Sequence, residues 1–181
     1  MRGRQWAVEP PDDPDNPPAD AQQVARTILL RRLEAAPRTR AQLATTLRER
    51  NIPDDVALAV LDRFEEVGLI DDRTFALMWV ESRQRTRNLS NRALRMELRT
   101  RGVADDLIGE ALEPLTAEDE LSAARVIAAR KARSVQGLPR ATAIRRMSGA
   151  LGRRGYGAAV TAQVVREALD EVDDDSPPPW I

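Results

Sequence analysis

The chain holds no cysteine and no histidine, and aromatic residues make up only 3% of its 181 positions. Without cysteine there is no disulfide framework, no thiolate zinc site and no catalytic thiol; without histidine there is no imidazole base. A metal site built from carboxylates stays formally open. So few aromatics leave little from which to build the base-stacking platform of a single-strand binder. No apolar run approaches the 18 residues of a membrane span, and the first residues lack the apolar centre of a signal peptide, so a cytoplasmic protein is expected. Gly149, Gly152, Gly155 and Gly157 fit no nucleotide-binding motif. No cofactor is expected, and no constellation supports catalysis.

Charge is present in quantity but cancels, with 28 basic residues against 29 acidic ones. The balance is an average over unlike parts: residues 1–20 carry −3, residues 21–166 carry +8 and residues 167–181 carry −6. Local fields rather than the total decide whether a polyanion docks. From 121 to 166 there are ten basic residues and not one acid. Lysine occurs once, at Lys131, and the remaining 27 cations are arginines. Arginine makes paired bonds to phosphate and carboxylate, so this composition suits an interface; it equally suits coding bias at high GC content.

Five prolines among acids between Pro10 and Pro18 preclude a helix or sheet interior, so residues 1–20 are expected to be a disordered leader. Asp173-Asp174-Asp175-Ser176-Pro177-Pro178-Pro179 predicts a disordered tail over 173–181, after a helix that stops near Val172. Between them Ala, Leu, Arg and Glu dominate and strand alternation is absent, which makes the chain all-α. In the first helix Val24, Ile28 and Leu29 form the apolar stripe. Gly68 stops a helix ending near Val67, and Asp71 or Asp72 then caps a helix over about 73–86.

An internal repeat organises this stretch. Shifted by 51 residues, Thr39–Leu61 (TRAQLATTLRERNIPDDVALAVL) matches Ser90–Leu112 (SNRALRMELRTRGVADDLIGEAL), pairing Leu43 with Leu94, Leu47 with Leu98, Ile52 with Val103 and Thr39 with Ser90. A weaker third copy follows at a further shift of 53, pairing Leu94 with Met147, Leu98 with Leu151, Arg101 with Arg154 and Val103 with Tyr156. Asn51, Gly102 and Gly155 share one position, and both residue types accept positive φ between helices. The expected architecture is an elongated tandem array of three three-helix repeats, over 21–70, 71–116 and 117–172. An array of this kind needs no symmetric interface, so a monomer is expected.

The candidate contacts are basic. Repeat two supplies Arg83, Arg85, Arg87, Arg92, Arg95, Arg99 and Arg101, with Arg92, Arg95 and Arg99 at i, i+3, i+7 on a side away from Leu94 and Leu98. Repeat three supplies Arg130, Lys131, Arg133, Arg145, Arg146, Arg153 and Arg154, with Ile144, Met147 and Leu151 as the buried stripe of its second helix. The plain alternative is a solvated helix face. The paired acids Asp54-Asp55, Asp71-Asp72 and Asp105-Asp106 sit at helix starts, where capping explains them better than metal binding does.

Gly68-Leu69-Ile70-Asp71-Asp72-Arg73-Thr74-Phe75-Ala76 resembles the signature G-hydrophobic-hydrophobic-D-D-x-x-F-A of the RecX family, bacterial modulators of the RecA recombinase. Glu97-Leu98-Arg99-Thr100-Arg101-Gly102-Val103 is similar to a second signature of that family, E-L-x-x-K/R-G-hydrophobic. The likeness covers roughly residues 24–170. It implies a cytoplasmic regulator without enzymatic activity that binds RecA along the groove of its filament on DNA. It further implies inhibition of strand exchange, ATP hydrolysis and co-protease activity, with direct binding of single- or double-stranded DNA by some members and no membrane partner. Carried over by position, Asp71, Asp72, Phe75 and Ala76 would hold the join between the first and second repeats, and the arginines of repeats two and three would form the basic surface. The rival class is a stand-alone DNA-binding module, since the helix pair 42–50 and 54–66 has the outline of a helix-turn-helix.

Overall fold

A computed structural model describes the backbone of residues 18–174 and the side chains of residues 20–171. Among the described residues the chain forms nine α-helices and no strand: α1 Pro18–Ala35, α2 Arg40–Glu49, α3 Asp54–Glu66, α4 Asp72–Arg87, α5 Asn91–Thr100, α6 Asp105–Leu112, α7 Ala117–Arg133, α8 Arg140–Gly152 and α9 Ala158–Asp174. The acidic leader and tail expected from the sequence lie mostly outside the described residues, as do Trp6 and Trp180. Helix α1 nevertheless starts inside the stretch assigned to the leader. Proline at a first helical position is preorganised in φ and gives up an amide that has no helical partner there. Helix α9 likewise runs two residues past Val172. None of the described helices is long and apolar enough to cross a membrane.

Two compact units divide the chain. Among the described residues, one runs through Phe75 and takes in Arg101–Val103; the other comprises Ala76–Thr100 and the residues from Ala104 onward. In the first, α1, α2 and α3 enclose a core of Leu29, Leu43, Leu47, Val60, Leu61 and Phe64. In the second, α7, α8 and α9 enclose Ile127, Met147, Leu151, Tyr156, Val164 and Leu169. Burying several side chains of this size stabilises each core by about 2 kcal/mol per residue.

Local chemistry starts and stops the helices. Thr39 and Gln42 form a reciprocal capping box at α2, and Thr116 and Asp119 form another at α7. The turns α2–α3, α5–α6 and α8–α9 pass through Asn51, Gly102 and Gly155 at φ of 56°, 78° and 87°. Two stripes differ from expectation. Val24 is 36% exposed and Ile144 is 41% exposed. The small residues beside them, Ala25 and Ala143, take the core positions instead, because alanine lets two helices approach closely.

Candidate functional site

The start of α2 and the start of α5 are built alike. Thr39 is wholly buried, and its hydroxyl donates to the carbonyl of Arg101 at 2.6 Å. The next amide, of Arg40, donates to the Asp72 carboxylate at 2.9 Å. Ser90 is also wholly buried, and its amide donates to the carbonyl of Arg154 at 3.0 Å. There the next amide, of Asn91, donates to Glu120 at 3.2 Å. The turn glycines fit into these joints. A Cβ on Gly102 would run into Ala41, and one on Gly155 would stand 2.5 Å from the Ser90 hydroxyl.

The paired acids of the first signature divide their work. Asp71 caps α4, accepting from the Thr74 amide at 2.9 Å and the Thr74 hydroxyl at 2.6 Å. Those bonds, the hydroxyl foremost, hold its carboxyl below the usual carboxylate range. Asp72 turns away to α2, and its half-burial pushes its carboxyl up despite the Arg40 amide. Phe75 and Ala76 are both buried. Among the described residues no cluster of three or more acids could hold a metal ion.

The candidate cations fall into three environments. Some are held by carboxylates: Arg83 pairs with Glu97 at 3.0 Å and lies 3.9 Å over the Trp79 ring, while Arg85 pairs with Glu81 at 3.3 Å. Arg99 grips Asp105 through two bonds of 2.7 and 3.2 Å, which raises the arginine and lowers the aspartate. Others stand on open helix surface: Arg92 on α5, Arg133 on α7, and Arg145, Arg146 and Arg153 along α8 or at its end are exposed, with Arg95 half-buried. Arg101 is half-buried where its carbonyl meets Thr39.

The third environment is a cleft of about 260 Å³ in the second unit, where Arg87, Arg130, Lys131 and Arg154 meet beside the side chains of Thr86 and Ser134. The ends of α4, α7 and α8 converge there, so part of the positive charge answers the carbonyl ends of three helices. Arg154 is the clamp: its Nε donates to the Arg87 carbonyl and its Nη1 to the Ala150 carbonyl, both at 3.1 Å. Tyr156 completes the end of α4 by donating to the Asn88 carbonyl at 2.8 Å. Burial pushes its hydroxyl up to about 12. No carboxylate lines the cleft. Four full positive charges outweigh three half-charges of helix ends, so the net field in the cleft is positive.

Sequence reasoning found all four cations but not their convergence, and it missed Thr86 and Ser134. Hydroxyls beside helix-terminal arginines carry no pattern of their own; only the three-helix geometry brings them together.

Comparison with known proteins identifies the family of the whole chain. Residues 25–64 match the family model for the first three-helix domain of RecX, and residues 71–112 match the model for the second. The chain is 50% identical over 160 residues to the regulatory protein RecX of Streptomyces coelicolor, covering 88% of this chain and 85% of that one. It is 48% identical to the Thermobifida fusca regulatory protein RecX, covering 88% and 89%, and 41% identical to that of Mycobacterium tuberculosis, covering 81% and 87%. The crystal structure of RecX from Lactobacillus salivarius superposes with a TM-score of 0.73 at 20% identity, over 84% of this chain and 99% of that one.

Proposed function

The chain belongs to the RecX family, and from that premise we propose that it is a non-enzymatic regulator that binds the RecA nucleoprotein filament and inhibits its recombinase, ATPase and co-protease activities. The observation that carries the reading is the carboxylate-free cleft of Arg87, Arg130, Lys131 and Arg154. A nucleoprotein filament presents phosphates and acidic side chains at a regular spacing. Guanidinium groups take either in paired, charge-assisted bonds, and a half-buried lysine adds a point charge. The exposed Arg92 on α5 and Arg145, Arg146 and Arg153 of α8 supply further weak contacts, and several weak contacts along one polymer add through avidity. Because Arg99 is already committed to Asp105, it contributes less than its neighbours on α5.

The test is RecA ATP hydrolysis on single-stranded DNA, measured with and without this protein, beside its binding to the same DNA alone. Inhibition well below the concentration that coats the DNA is the expected result. Inhibition only at coating concentrations would instead support a stand-alone DNA-binding module competing for the strand. Reversing Arg87, Arg130 and Lys131 together to Glu, with Arg154 kept as the clamp, is expected to weaken inhibition and flatten its salt dependence. Unchanged inhibition at moderate salt would remove the cleft from the interface.

A further inference from the structure

Helices α8 and α9 leave between them an open groove of about 650 Å³ within the second unit. Ile144 and Ser148 form one wall, Ala162, Val165 and Leu169 the other, and Tyr156 lies at one end. On the corresponding face of α5 and α6 the Arg99–Asp105 ion pair crosses from helix to helix at 2.7 Å. In the 53-residue register those two positions become Gly152 and Ala158, which line the groove and cannot bridge it. Ile144 stands 41% exposed on a helix that wholly buries Met147 and Leu151. Apolar surface is left in water there at a cost in hydration.

We propose that this groove docks an amphipathic helix of a protein partner, apolar on the face that enters and acidic along both flanks. The proposal does not depend on the basic cleft or on what the cleft holds. Length is its first support. Arg140, Ile144, Ser148 and Gly152 line the α8 wall at every fourth residue, a span of about 18 Å. A channel of that length takes a helix of about three to four turns through side chains at i, i+4 and i+7.

The polar groups inside the groove are the second support. Thr161 lines it although only 8% exposed, and Ser148 stands on the other wall. Neither hydroxyl is hydrogen-bonded among the described residues. Helical threonines elsewhere in the chain, Thr27, Thr45, Thr86 and Thr100 among them, return the hydroxyl to a carbonyl four residues back. One unengaged hydroxyl on each wall of an apolar channel is the arrangement that fixes the register of a bound segment.

Charge chooses the occupant. Arg140 is already paired with Asp170 at 2.9 Å and adds no net charge to the rim. Arg145, next to Ile144 on the outer side of α8, and Arg166, on the α9 wall, are both exposed and in no ion pair among the described residues. No carboxylate lines the groove. Each flank therefore offers one unanswered guanidinium, which favours an acidic segment and repels a basic one. A second copy of the chain docking symmetrically would set the same arginines against each other. A nucleic-acid strand would have to leave its hydration over an apolar floor.

Binding of a labelled synthetic helix to the full chain tests this, read by fluorescence anisotropy and by the methyl signal of Ile144. The probe is a capped peptide of about four turns, with leucine at i, i+4 and i+7 and glutamate on both flanks. A twin carries lysine in place of every glutamate. Saturable binding of the glutamate peptide with a shift of the Ile144 methyl signal is expected, and the twin should bind about tenfold more weakly. Ile144→Glu should weaken the glutamate peptide by about tenfold. Arg145→Glu with Arg166→Glu should reverse the preference between the twins, with circular dichroism unchanged in every variant. Reversing Arg87, Arg130 and Lys131 should leave this binding as it was. No binding, equal binding of the twins, an unmoved Ile144 methyl signal, or loss on reversing the cleft overturns the proposal. So does an Ile144 methyl signal that moves with protein concentration alone, which would mean a second copy of the chain.

Discussion

In α5–α6 the helices turn through Gly102 at φ 78° and are tied across their outer face by Arg99 and Asp105. In α8–α9 they turn through Gly155 at φ 87°, and Gly152 and Ala158 stand where that ion pair would be. The shared half of the comparison is the side that is packed: each glycine sits against the start of an earlier helix, Ala41 in one case and Ser90 with Ala93 in the other. The half that differs faces solvent. Contact behind the turn dictates a residue without Cβ, whereas nothing behind the outer face dictates an ion pair, so that face is free to become a groove.

The largest effect is expected at the packed side. Gly155→Ala forces a positive φ on an alanine and drives its Cβ to 2.5 Å from the Ser90 hydroxyl and 2.7 Å from the Ala93 Cβ. Denaturant melts should show a loss of about 2–4 kcal/mol, with Gly102→Ala close behind. Gly157→Ala, where an added Cβ meets nothing within 4 Å, should stay within about 0.5 kcal/mol. If all three cost the same, packing is not what fixes the turn.

Next comes Tyr156, which follows the turn glycine in α8–α9 where Val103 follows it in α5–α6. Tyr156→Phe leaves the Asn88 carbonyl without this donor and should cost about 1 kcal/mol. The pH dependence carries a sign. The hydroxyl is raised from 10.0 to about 12, so its stabilisation is complete below pH 10 and is lost as pH climbs through 12. The phenylalanine variant should lack that alkaline decline.

Exchanging the outer faces gives a smaller change in stability. Gly152→Arg with Ala158→Asp should shift unfolding by no more than about 1 kcal/mol, as exposed ion pairs do. The smallest effect is Asp105→Asn on the tied face. Its carboxyl is lowered, chiefly by the Arg99 bond, so the stability it lends is present above pH 3.8 and fades as pH falls through the lowered value. The variant should flatten that acid limb slightly, and added salt should erase the difference.

Much of this frame was legible in the sequence because backbone geometry is repeated where residues repeat. Asn51, Gly102 and Gly155 announced three turns, and Leu43, Leu47, Leu94, Leu98, Met147 and Leu151 announced the cores that enclose them. Val24 and Ile144 were misplaced because pattern reading favours large side chains over the alanine beside them. The division between Asp71 and Asp72 was hidden for another reason: adjacent carboxylates look equivalent until one of them meets an amide from 32 residues away. The basic cleft is assembled from the ends of three helices, and the acid-free stretch from 121 to 166 disclosed its charge but not its place.

The bond from Tyr156 to the Asn88 carbonyl spans 68 residues of chain. Ribosomes add roughly 5–20 residues per second, so the end of α4 waits about 3–14 s for its donor. During that interval the Ser90 amide, just ahead of α5, also lacks the Arg154 carbonyl, and the hollow meant for Gly155 beside Ser90 is unfilled. The second unit is therefore sealed by its last hairpin, and a nascent chain halted before Gly155 emerges would present the open ends of two helices to whatever meets it first.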